Sequence, residues 1–71
     1  MTPLQIRTAL LEQGVSLRSI ARRLGVSPSA VSLIVNKKMV SKRIMEAVAN
    51  AIGSDLETVF PEYHQRHTVN G

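Results

Sequence analysis

The sequence predicts an all-α fold, a compact bundle of five short helices on one core. Three observations carry that prediction. Apolar residues recur at intervals of three and four, the period of one helix face. Ser or Thr stands ahead of each such stretch, where a side-chain hydroxyl can cap a helix start. Glycines follow three of the stretches, where a residue without Cβ closes a helix in left-handed geometry. Seventy-one residues make one small domain with a modest core. The absence of cysteine rules out disulfide staples and cysteine-held metals.

The first helix opens at Thr2-Pro3-Leu4-Gln5, with Thr2 as cap, Pro3 at the first position and Gln5 completing a capping box. Ile6, Ala9, Leu10 and Gln13 mark its inner side, Leu4 and Leu11 lie at the edge of the stripe, and Gly14 stops it. Ser16 caps the second helix, behind the apolar Val15; Leu17, Ile20, Ala21 and Leu24 form its apolar face, and Gly25 ends it. Val26 is an apolar turn residue, Ser27 the next cap, and Pro28 suits the first position of a third helix that runs to about Asn36. Val31, Ile34 and Val35 return the apolar face, and Asn36 is tolerated where a helix closes in left-handed geometry.

A polar loop with Lys37 and Lys38 leads through Met39 and Val40 to Ser41, the cap of a helix from Lys42 to Ile52. That helix is expected to bury Ile44, Val48, Ala51 and Ile52, with Met45 and Ala47 beside them, before Gly53 ends it. Ser54-Asp55-Leu56-Glu57 reads as a second capping box, starting a short helix that Pro61 closes and whose Leu56, Val59 and Phe60 lid the core. The chain therefore divides into a domain over 1–61 and a mobile tail over 62–71, which lacks periodicity.

The central stretch, LRSIARRLGVSPSAVSLIVN, meets the steric needs of a helix-turn-helix. Ala21 is small where two crossing helices touch, and Gly25 follows four residues later at the turn. Charge points the same way. The net charge is +4, and between Glu12 and Glu46 no acidic residue occurs, while Arg18, Arg22, Arg23, Lys37, Lys38, Lys42 and Arg43 all fall there. A solvated face normally interleaves acids with its bases; an acid-free run is the footprint of a polyanion-binding surface. Lys42 and Arg43 occupy the first turn of their helix, the wrong sign for its dipole, and a phosphate there would reverse the effect.

From about Ile6 to Phe60 the chain resembles the lambda-repressor and Cro-like helix-turn-helix family, most strongly over IARRLGVSPSAVSLIVN, and its VFPEYH segment is similar to the end of phage Ner-type regulators. The resemblance implies sequence-specific binding to duplex operators, as a homodimer on DNA, in transcriptional control. Three departures stand out. Leu10 and Val35 occupy the places of a buried Arg–Glu pair in many members, so a matched apolar contact is expected instead. Leu17 and Pro28 replace glutamines used for base and phosphate contact, so that adenine contact does not carry over. Lys37 replaces the usual Gly after the third helix, so that turn must bend by other means.

With the third helix in a major groove, Ser29, Ser32, Leu33 and Asn36 face outward, and Ser27 and Pro28 sit at the leading end. Serine hydroxyls discriminate weakly, Leu33 packs on a thymine methyl, and Asn36 pairs with adenine; no Arg is placed to read guanine. Phosphate contacts fall to Ser16 and Arg18 at the second helix start, to Arg22, and to Lys37, Lys38, Lys42 and Arg43. The dimer surface is expected around Val59, Phe60 and Tyr63, with plain core the preferred alternative for Phe60.

Nothing in the sequence points to catalysis, a cofactor or a small-molecule ligand. His64 and His67, beside Glu62, have metal-pair spacing but lack further ligands, so no metal site is expected. No run is long enough to span a membrane, and the expected location is the cytoplasm of a prokaryotic or phage-infected cell. Two other functions use the same features. A protein-interaction module on this fold would use Leu17, Leu33, Met39 and Val40 as an apolar patch, and an architectural or recombination accessory DNA-binding protein would use the same charges.

Overall fold

The computed structural model describes residues 1–63 and contains five α-helices over that span. They are α1 (Pro3–Glu12), α2 (Leu17–Leu24), α3 (Pro28–Val35), α4 (Lys42–Ile52) and α5 (Leu56–Val59). The first four starts are set by local hydrogen bonds from backbone N–H groups to capping side chains. Thr2 Oγ1 accepts from Gln5 N while Gln5 Oε1 accepts from Thr2 N, a complete capping box. Ser16, Ser27 and Ser41 accept from Ser19, Ala30 and Ile44 N–H. The fifth start differs from expectation. Its cap is Asp55, which makes no side-chain capping bond, while Ser54 lies one residue earlier in the closure of α4, its N–H donating to Ala49 O at 3.0 Å.

The first four helices also end alike. After α2, Gly25 N–H donates to Arg22 O and Val26 N–H to Ala21 O, the paired bonds of a Schellman closure, with Gly25 at φ 73°. The same pair of bonds closes α1 through Gly14 and α4 through Gly53. It also closes α3: Lys37 N–H donates to Ile34 O and Lys38 N–H to Leu33 O, with Lys37 itself at φ 64°. The left-handed residue is therefore Lys37 rather than Asn36, whose φ is −81°. The turn bends as its glycine-closed counterparts do, on a residue whose Cβ opposes that geometry by about 1–2 kcal/mol.

One core joins the helices. Ile6 and Leu10 of α1, Ile20 and Ala21 of α2, Val31, Ile34 and Val35 of α3, and Ile44, Met45, Val48 and Ala49 of α4 are buried, with Val59 and Phe60 closing it. Leu10 (2 % exposed) and Val35 (0 %) sit in that cluster, and among the described residues no polar or charged side chain is buried with them. The inner face of α4 is rotated from expectation: Ala49 is buried, whereas Ala51 and Ile52 are half-buried. Gln13 is exposed, since it caps the C-terminus of α1 instead of extending its stripe. Leu4 and Leu11 point outward, 73 % and 78 % exposed. Burial of Val59 and Phe60 removes them from any dimer surface; of that expected group only Tyr63 reaches solvent, half-buried.

Glu62 and Tyr63 are both tied to the body, Glu62 by an ion pair with Lys37 and Tyr63 by donating its N–H to Phe60 O at 3.0 Å. The remainder of the expected tail, with His64 and His67, lies outside the described residues. Among the described residues no helix is long and apolar enough to cross a membrane.

Candidate nucleic-acid interface

The pairing of α2 with α3 positions the candidate interface. Ala21 of α2 is buried, and α2 and α3 contact each other more extensively than any other pair of helices. Burying Val31, Ile34 and Val35 on one side of α3 forces the opposite side out. Ser29 and Leu33 are exposed there, and Ser32 and Asn36 half-buried, along one helical stripe; Ser27 and Pro28 are exposed at the leading end.

At the start of α2, Ser19 N–H is capped by Ser16 Oγ and Ile20 N–H donates to Ser16 O. The Leu17 and Arg18 amides are the first-turn donors left over among the described residues, beside the exposed Arg18 side chain. Ser16 Oγ spends only lone pairs on its cap, so its O–H can still donate. Donors and positive charge thus converge at this helix end, the arrangement that suits an anion.

The cations fall into two groups. Arg18, Arg22, Arg23 and Lys38 are exposed and have no partner among the described residues. Arg22 and Arg23 also lie in the last turn of α2, where positive charge opposes the negative dipole end. The others are engaged. Lys37 pairs with Glu62, whose carboxyl that hydrogen bond holds below its usual pKa range. Lys42 lies 4.0 Å from Glu46 one turn along α4. Arg43 Nη2 donates to Leu24 O at 2.8 Å, so its charge is spent on the C-terminal end of α2. In the free protein, then, the two cations of the first turn of α4 reach a neighbouring helix's carbonyl and a carboxylate four residues on.

Sequence reasoning missed Arg7. Its Nη2 donates to Asn36 Oδ1 at 3.1 Å, across 29 residues of chain, bringing an arginine to the end of α3. No local pattern announces that contact. The one available signal is that Arg7 follows Ile6, so it stands beside the buried stripe of α1.

Among the described residues, no group of three or more His, Cys, Asp or Glu side chains is gathered as metal ligands. The exposed Leu33, Met39 and Val40 lie close along the chain at the end of α3 and in the following loop. A family model described as helix-turn-helix matches residues 6–59. No curated protein and no solved structure matches the chain.

Proposed function

The chain belongs to the lambda-repressor and Cro-like helix-turn-helix family, and on that premise we propose that it is a sequence-specific transcriptional regulator of the phage-repressor type. In this reading α3 enters the major groove of duplex DNA, and cations on the flanking elements hold phosphates. The observation that supports it best is the set of cations Arg18, Arg22, Arg23 and Lys38, without a partner among the described residues and in a stretch without a single acid from residue 13 to 45. Charges left without acids on a small domain gain most from a polyanion, through release of its condensed counterions.

Within that reading, Ser16, Arg18, Arg22 and Lys38 contact phosphates directly. Lys37, Lys42 and Arg43 do so after exchanging, or while keeping, the partners they hold in the free protein. Ser27, Pro28, Ser29, Ser32, Leu33 and Asn36 face base edges, a set with few strong hydrogen-bonding groups, so DNA shape and bridging water share the recognition. One α3 covers few base pairs; two copies on half-sites one helical turn apart supply the rest of the specificity. The host compartment is the cytoplasm of a prokaryotic or phage-infected cell.

Selection of sites from random duplexes at a fixed salt concentration tests the proposal. A bipartite, symmetric consensus is expected. Salt-insensitive capture of a protein, with no duplex enriched, would favour an interaction module built on the exposed Leu33, Met39 and Val40 instead. Enrichment of bendable sequence without a consensus would favour an architectural role.

A further inference from the structure

We propose that Arg7 is a specificity-determining positioning residue: by holding Asn36 Oδ1 it makes the end of α3 a donor-dominated edge that selects guanine over adenine. The proposal deepens the duplex-DNA reading and rests on it. A guanidinium has five N–H donors and no acceptor, so the amide oxygen of Asn36 must be the atom facing Arg7. That fixes the flip of the amide and turns its NH2 group away. Among the described residues nothing accepts from Asn36 Nδ2, and four of the five guanidinium N–H donors also remain for an outside group.

Adenine is read by an asparagine that accepts from N6 and donates to N7 at once. In this structure the accepting half is occupied by a cation, and a charge-assisted bond of this kind is stronger than one from a neutral amine. The remaining lone pair of Oδ1 belongs to an oxygen already drawn on by that cation, a poorer acceptor than a free amide. Guanine asks for nothing but donors, presenting N7 and O6 side by side in the major groove. Arg7 and Asn36 together offer several free donors against that one weakened acceptor. The adenine pairing expected from Asn36 in isolation is replaced by guanine because a residue from α1 reaches it.

The experiment selects duplex sites with the wild-type chain and with Arg7→Ala, Arg7→Lys and Asn36→Ala, then measures competition between duplexes differing at single positions. The wild type is expected to prefer guanine at one position of each half-site, and a guanine-to-adenine change there to cost about fivefold or more. Arg7→Ala frees the amide oxygen and brings adenine level or ahead at that position alone. Arg7→Lys, still a donor, keeps guanine. Asn36→Ala weakens the preference at the same position and no other. Arg7 is exposed, so its replacement leaves the core intact. Adenine at the Asn36-dependent position of the wild type, or a preference untouched by Arg7→Ala, overturns the inference while leaving the DNA-binding reading in place. Absence of salt-dependent duplex binding by the wild type overturns that reading, and the inference with it.

Discussion

Arg43 and Leu24 are joined by a hydrogen bond of 2.8 Å from the guanidinium to the backbone carbonyl, tying the first turn of α4 to the last residue of α2. A cation is thereby moved off the positive end of one helix dipole and onto the negative end of another. Arg43→Ala is expected to destabilise by about 0.5–1.5 kcal/mol, the net contribution of a typical hydrogen bond. Urea unfolding checks it. An unchanged midpoint would mean that the contact contributes nothing.

Lys37→Gly is expected to stabilise the domain. Lys37 is the one non-glycine residue at positive φ among those described, and it occupies the closure that glycine fills after α1, α2 and α4. Relief of about 1–2 kcal/mol of left-handed strain is partly offset by the greater freedom of glycine in the unfolded chain, about 0.5–1 kcal/mol. A net gain near 0.5–1 kcal/mol should appear as a higher urea midpoint. Lys37→Ala is the control, since it loses the same ion pair and keeps the strain. Equal stability of the two variants would refute the account of this turn.

Leu10→Arg tests the apolar exchange at the centre of the core. Leu10 and Val35 are both buried, with no polar group among the described core residues to receive a charge. The single substitution should cost about 3–5 kcal/mol, as an unpaired buried charge does. On a domain this small, that approaches its whole stability. Adding Val35→Glu should recover part of the loss. A double mutant no more stable than the single would show that the two positions are not coupled.

Glu62→Gln separates stability from binding. The Lys37–Glu62 pair is exposed on its carboxylate side, so its removal should change stability by no more than about 0.5 kcal/mol. The same change frees Lys37 for a phosphate and should steepen the salt dependence of duplex binding by up to about one unit. Acid should act in the same direction. Because the folded-state pKa of Glu62 is lowered, the pair's small stabilisation is present above the ordinary carboxylate pKa. It is lost, and Lys37 released, as pH falls through the folded value. Binding of Glu62→Gln weaker than wild type would refute this competition.

What could be read from the sequence was what local chemistry decides. Thr2, Ser16, Ser27 and Ser41 cap their helices as expected, because a hydroxyl three residues ahead of a backbone amide needs no tertiary context. Gly25 and Gly53 end α2 and α4 for the same reason. The inner face of α4 was harder, since an alanine such as Ala49 looks alike in core and on surface, and α4 packs against all four other helices, whose arrangement the local pattern does not carry. Ser54 is not the cap because it belongs to the closure of α4, one residue ahead of the cap position that Asp55 takes. At the candidate interface, exposure of Ser29 and Leu33 followed from burial of Val31, Ile34 and Val35. The tertiary partners of Arg43, Lys37 and Asn36 did not follow, because each lies 19 to 29 residues away along the chain.

The salt dependence of duplex binding tests the central claim most directly. Affinity for a selected duplex and for a random one is measured across a series of salt concentrations, for the wild type, Arg18→Ala, Lys38→Ala and Leu33→Ala. The account predicts a steep linear fall of log affinity with log salt for the wild type, with a slope of about −3 or steeper. Arg18→Ala and Lys38→Ala should each flatten that slope by about one unit and weaken both duplexes alike. Leu33→Ala should leave the slope unchanged and narrow the gap between the two duplexes. A wild-type slope near zero, or phosphate and base variants that behave identically on both duplexes, would contradict it.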